Sequence, residues 1–217
     1  MNRIESGNLN SVQLFNVFSE KYYTEEFITT IMGQKKITYI IVEESPFNKN
    51  IENKIIFINR KLEITFKKDV KQFITNLLLY SESLGYNTYL NRKLHIGSKG
   101  EIKNAPECDE IHGNIKEINK PQQIIRIINS ADFQKYWKVH KELIDVCKNC
   151  EFRHICTDNR IPQQRKDGTW FHKIECNYNP FITRWEYEKG YASLNDSGVI
   201  SNDRGLFINQ SKLQRIS

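Results

Sequence analysis

Hydrophobic and polar positions along the first third of the chain predict a small α/β unit over roughly residues 1–84. Val12, Leu14, Phe15, Val17 and Phe18 suit a short amphipathic helix within the stretch from Ser11 to Met32, and a second helix is expected around Glu25 to Ile31. Ile37 to Val42 is β-branched and aromatic without interruption, the composition of a buried strand. Lys54 to Ile58 and Leu62 to Phe66 are further strand candidates. Asp69 can cap a helix to about Leu84, with Val70, Phe73, Ile74, Leu77, Leu78 and Leu79 at helical spacing and Gly85 as its stop.

The texture changes from Tyr86. Tyr89 to Ile96 reads as a strand, Gly97 and Gly100 bracket a turn, and Glu101 to Lys103 can return as the second strand of a β-hairpin. Pro121 to Ile128 and Phe133 to Ile144 read as helices, and Arg184 to Glu188 as a charged helix surface. Periodicity fades past Cys147, and the stretch to Pro180 is polar and aromatic with few aliphatics. A segment of that kind needs a staple to fold, and cysteines on a metal supply one. The tail after Gly190 is rich in Asn, Asp, Ser and Gly and is expected to be loose. The pattern therefore predicts an α+β chain: a small α/β unit at 1–84, a β-hairpin leading into a loop-rich, metal-stapled domain at 85–190, and a tail at 191–217.

Composition narrows the function classes. Hydrophobic residues make up 39% of the 217, enough for a packed core. The net charge of +6 is uneven. Residues 1–86 hold 11 basic and 10 acidic side chains, so the remaining 21 basic and 16 acidic leave +5 in residues 87–217. No block of five or six like charges occurs, which argues against nucleic acid as the partner. The longest apolar run, Ile37 to Val42, is far short of the ~20 residues of a membrane span. The N-terminus lacks the apolar core of a signal peptide, so a cytoplasmic protein is expected.

In such a compartment, five cysteines point to a metal or redox site rather than disulfides. Four of them form one constellation. Cys147 and Cys150 make a Cys-x-x-Cys turn, Cys156 follows within the same loop, and Cys176 comes from a distant one. The turn aims two thiolates at one centre, the third extends the half-shell, and the fourth completes tetrahedral sulfur ligation. Zinc and an iron–sulfur cluster both accept that set. Cys108 stands apart and reads as a small buried hydrophobe. The five histidines show no ligand spacing, although His154 lies inside the cysteine loop. Asp158 reads as a turn residue. No glycine-rich phosphate loop and no defensible nucleophile–base pair is present.

A run of segments in fixed order carries a family resemblance. They are Tyr80-Ser-Glu-Ser-Leu-Gly-Tyr-Asn87, Leu90-Asn-Arg-Lys93, Gly100-Glu-Ile-Lys-Asn104, Gly113-Asn-Ile115, Lys135-Tyr-Trp137, Cys147 to Asp158, and Cys176-Asn-Tyr-Asn-Pro180. Together, over about residues 80–186, they resemble the SPASM-domain protein of the grasp-with-spasm peptide maturation systems. The resemblance implies auxiliary [4Fe–4S] ligation, and one cluster on Cys147, Cys150, Cys156 and Cys176. It implies as partners an ATP-grasp peptide ligase and a ribosomally made precursor peptide. Thr88, Ala105 and Asn159 stand where the family pattern has cysteines of a first auxiliary cluster, so one cluster is expected rather than two.

The Cys-x-x-x-Cys-x-x-Cys triad of radical S-adenosylmethionine enzymes is also missing. An accessory protein without independent catalytic activity is therefore expected. An electron-transfer subunit and a zinc-stapled binding domain are the alternatives. Phe152, Trp170, Phe171, Tyr178 and Trp185 are candidates to line a recognition surface or to pack around the centre.

Overall fold

The computed structural model describes residues 12–17, 24–33, 35, 37–60, 66–73 and 75–215. It is a mixed α+β protein with short helices and small sheets. The chain divides into two compact units, residues 1–64 and 65–217.

The first unit is built on one four-stranded sheet in the order β1-β2-β4-β3. Its strands are β1 (Val12–Val17), β2 (Ile37–Glu43), β3 (Lys49–Ile51) and β4 (Ile55–Phe57), with helix α1 (Glu25–Gly33) between β1 and β2. β1 and β4 both run parallel to β2, and β3 returns antiparallel to β4. Ile31 of α1 packs with Ile40, Val42, Ile55 and Phe57 in a fully buried cluster. The expected second helix and the strands at Ile37–Val42 and Lys54–Ile58 are present. The expected first helix is not: its described residues form β1. Val and Phe are strand formers, and pairing with β2 outweighs a local helical spacing. The strand expected at Leu62–Phe66 lies, through residue 65, outside the described residues.

In the second unit the expected Asp69–Leu84 helix is broken. A single 3-10 turn spans Val70–Gln72, and helix α2 (Leu77–Ser83) starts afresh. Asn76 causes the restart, because its Oδ1 accepts the amides of Leu78 and Leu79 at 2.8 and 3.3 Å. Tyr89–Ile96 is mostly turn, held by Asn87 Oδ1, which accepts the amides of Tyr89 and Leu90 at 3.0 Å each. Only β5 (His95–Ile96) remains extended, and it pairs antiparallel with β6 (Ile102–Lys103) as the expected hairpin. Gly100 sits at φ +96° in that turn, a conformation that suits glycine.

Helix α3 (Pro121–Ile128) forms as expected, with Pro121 at its start and Gln123 Oε1 accepting the Lys120 amide at 2.9 Å. Phe133–Ile144 is not an α-helix. Bonds of the three-residue kind link Lys135 to Asp132, Trp137 to Gln134 and Val139 to Tyr136. Phe133, Tyr136 and Val139 are buried, so the apolar period is three rather than 3.6. Arg184–Glu188 is likewise not helical: β9 (Tyr178–Asn179) and β10 (Arg184–Trp185) make a small antiparallel pair there.

β7 (Pro162–Gln164) and β8 (Trp170–His172) form another hairpin. The tail expected to be loose is ordered over residues 191–215. β11 (Val199–Asn202) and β12 (Gly205–Ile208) pair, a short helix α4 (Gln210–Leu213) follows, and Leu194, Ser197 and Val199 are buried. Polar composition misled here because Asn and Ser make specific bonds: Asn179 Nδ2 donates to Ser197 Oγ at 3.0 Å, and Ser197 Oγ donates to the Leu194 carbonyl at 2.8 Å. No helix among the described residues is long and apolar enough to cross a membrane.

Candidate metal centre

The four constellation cysteines line one cavity of the second unit, of about 50 Å³. That is several times the roughly 10–15 Å³ a single water needs. Cys147 opens a 3-10 turn (Cys147–Asn149) that closes with the Cys150 amide on the Cys147 carbonyl at 3.0 Å. Two further turns, Arg153 amide to Cys150 carbonyl and Ile155 amide to Phe152 carbonyl, bring the chain round to Cys156. Cys176 arrives from the other direction, between β8 and β9. All five cysteines are free thiols.

Local bonds fix the loop. Val146 adopts φ 68°, ψ −54°, a strained conformation for a β-branched residue, immediately before the first cysteine. It is held on its N-terminal side by Asp145, whose carboxylate takes Arg165 Nη1 at 2.7 Å and Lys148 Nζ at 2.8 Å. Thr88 Oγ1 donates to the Cys156 carbonyl at 2.8 Å. Replacing Thr88 with valine keeps the shape and removes that bond, so a loss of about 0.5–1.5 kcal/mol is expected in denaturant titrations. Asn177, next to Cys176, makes two bonds to one residue: its Oδ1 accepts the Lys68 amide and its Nδ2 donates to the Lys68 carbonyl, each at 2.7 Å.

Burial pushes the Cys150 and Cys156 thiols up to about 12 and raises Cys176 as well. Amides oppose this at two sulfurs: Phe152 donates toward Cys150 and Tyr178 toward Cys176. Donors aimed at sulfur favour thiolate and tune a thiolate-bound centre. Thiols that stay protonated alone and carry amide donors suit a centre that ionises them on binding.

No spacing or motif signals the charged network beside them. Asp158 is fully buried, and its Oδ2 accepts Lys141 Nζ at 2.5 Å and Arg160 Nη2 at 2.6 Å. Oδ1 accepts the amide and Nε of Arg160 at 3.1 and 2.9 Å. Burial opposes charge on Asp158, but Lys141 and Arg160 outweigh it and hold the carboxyl well below the usual range. His172 Nε2 lies 3.5 Å from Asp158 Oδ2. Burial, then Lys141 and Arg160, keep its imidazole well below its ordinary value and hence neutral.

Ligand atoms of Cys147, Asp158 and His172 lie within 4.8 Å of one another, close enough to hold a metal ion. A metal there would have to displace Lys141 or Arg160 from Asp158, whose lone pairs are occupied. The four thiols take part in no ion pair of that kind, and the donors near them, the Phe152 and Tyr178 amides and Arg160 Nη2, are compatible with a thiolate bound to metal.

The aromatic candidates divide. Phe152, Tyr178 and Trp185 form one cluster with Phe73, with centroids 4.7–5.9 Å apart, and all four line the cavity. Tyr178 also donates its hydroxyl to Glu151. Trp170 packs against Tyr136 instead, and Phe171 is buried against the Arg165 guanidinium.

His154 meets Ser83 Oγ at 3.1 Å and Glu142 at 3.5 Å, and no sulfur contact is among its bonds. Cys108 lies in a separate core with Leu90, Ala105 and Tyr136, its thiol pushed up to about 11 by burial. Ala105 is in that core, and Asn159 bridges Lys68 Nζ at 3.1 Å and Glu107 at 3.2 Å. Comparisons with models of protein families, with curated proteins and with solved structures found no match.

Proposed function

We propose that the chain binds one [4Fe–4S] cluster through Cys147, Cys150, Cys156 and Cys176. We further propose that it serves as an accessory protein in the maturation of ribosomally made peptides. The observation that supports the centre is the convergence of those four thiols, from two separate stretches of chain, on one cavity. Their sulfurs suit a soft metal, and a buried excess of positive charge lies beside them. Zinc would satisfy the same donors. The choice of iron and sulfide rests on the resemblance carried by the segments between Tyr80 and Pro180, as do the partners: an ATP-grasp ligase, a precursor peptide, or both. On this reading the cluster is structural, folding an aliphatic-poor segment into a recognition surface, and the chain has no catalytic activity of its own.

Protein purified without oxygen is expected to carry about four irons with matching sulfide and a broad absorption near ~400 nm. Stoichiometric zinc with neither iron nor sulfide, even after anaerobic reconstitution, would remove the cluster while leaving a four-thiolate site. The accessory role is checked by pull-down and ligation assays with the products of neighbouring genes. Failure to bind either product, with ligation rate and regiochemistry unchanged, would sink it.

A further inference from the structure

The ion-pair network beside the cysteines is unbalanced. Lys141 and Arg160 bring two positive charges into a fully buried place, and Asp158 brings one negative. Asp158 is saturated by these two partners, and Arg160 Nη1 is committed to the Ile174 carbonyl at 2.8 Å. The surplus charge reaches sulfur directly: Arg160 Nη2 lies 3.8 Å from Cys147 Sγ. Lys141 also acts electrostatically on Cys147 and Cys156, and Arg160 on Cys147 and Cys176. A buried cation without a matching anion is costly, so this arrangement calls for a negative neighbour. Four thiolates around a metal or cluster carry more negative charge than the metal neutralises. Of the other carboxylates lining the cavity, Asp145 is paired with Arg165 and Lys148 and Glu175 is exposed, which leaves the four thiols as the groups beside this surplus placed to supply such an anion.

We propose that Lys141 and Arg160, locked in place by Asp158, are positioning residues that supply the counter-charge for a four-thiolate centre and favour its uptake of an electron. This rests on the reading that Cys147, Cys150, Cys156 and Cys176 bind a cluster. Reduction adds one negative charge to a cluster, and a fixed positive charge in a low-dielectric surrounding stabilises the reduced form. In the test the electron comes from an added chemical reductant.

Lys141→Gln is the informative variant. It removes one charge, keeps a donor toward Asp158, and leaves Asp158 paired with Arg160. Wild type, Lys141→Gln and Lys141→Arg are reconstituted anaerobically with iron and sulfide. Iron and sulfide content, circular dichroism and the midpoint potential are then measured on the full chain. With iron content unchanged, Lys141→Gln is expected to lower the reduced-to-oxidised ratio at fixed potential at least tenfold, about 59 mV for a one-electron couple. Lys141→Arg is expected to restore the wild-type value.

Loss of the cluster from Lys141→Gln but not from Lys141→Arg, with unchanged circular dichroism, supports the same role. Full iron content with an unchanged potential in Lys141→Gln overturns the inference and leaves the cluster site standing. Equal loss of iron from both variants makes Lys141 a packing residue and overturns it too. A wild-type chain that takes up no iron and sulfide overturns the site itself, and the inference with it.

Discussion

Cys150→Ser is expected to abolish loading of the proposed cluster and to unfold the loop-rich part of the second unit, whereas Cys108→Ser leaves metal content unchanged. Cys150 closes the turn begun by Cys147, and its thiol lines the cavity with three others. A serine hydroxyl is a poor replacement for a soft thiolate, and three remaining sulfurs cannot complete the tetrahedral set. Metal binding and folding are one equilibrium in such a segment, with binding free energies of roughly 10–16 kcal/mol for small structural zinc sites. Losing the ligand therefore costs much of the segment's stability.

Cys108 faces Leu90, Ala105 and Tyr136. Its replacement buries a hydroxyl in an apolar core, a cost of about 1–3 kcal/mol. Iron per chain and tryptophan fluorescence in a denaturant series separate the two variants. Trp137, Trp170 and Trp185 are the chain's three tryptophans, and all lie in the second unit, so the fluorescence reports that unit alone. Equal loss of iron from both variants would make Cys108 a ligand.

Asp158→Asn carries the second large effect. It leaves Lys141 and Arg160 side by side in a buried place with no anion between them. Removing one partner of a buried pair costs about 3–5 kcal/mol, and here one carboxylate serves two cations. The exposed pair of Lys67 and Glu186 is the control: Glu186→Gln is expected to change stability by no more than about 1 kcal/mol. The pH dependence has a definite sign. Asp158 has a depressed folded value, burial opposing and Lys141 and Arg160 dominating. Its contribution is therefore fully present above the unfolded value of about 3.9 and is lost as pH falls toward the folded one. An Asp158→Asn chain as stable as wild type at neutral pH would remove the network from the account of this fold.

The Cys147–Cys150 turn was legible because a Cys-x-x-Cys turn needs only its own backbone, whereas the arrival of Cys176 at the same cavity depends on the β7–β8 hairpin between them. The buried strands around Ile40 and Ile55 were legible for a similar reason, since unbroken β-branched runs have few alternatives. β1 was misread because its pairing with β2 lies outside its own sequence window. Phe133–Val139 was misread because apolar residues at intervals of three and of 3.6 look alike over two turns. The charged half of the site was invisible. Lys141, Asp158, Arg160 and His172 meet only because the turns after Cys156 and the β7–β8 hairpin fold them together. A buried lysine and a surface lysine are written alike in a sequence.

The paired hydrogen bonds between Asn177 and Lys68 link occupancy of the proposed site to a part of the chain that holds no cysteine. Asn177 is the neighbour of Cys176, so whatever fixes that sulfur also fixes the side-chain amide that shields the Lys68 N–H from solvent. Amide hydrogens exchange with deuterium only when such bonds open. Stripping the proposed metal from loaded protein with a chelator should therefore quicken exchange in residues 66–73, while α3, which has no bond to the cysteine loops among those described, keeps its rate. Residues 66–73 would then serve as a remote gauge of loading, readable by mass spectrometry without any probe on the metal.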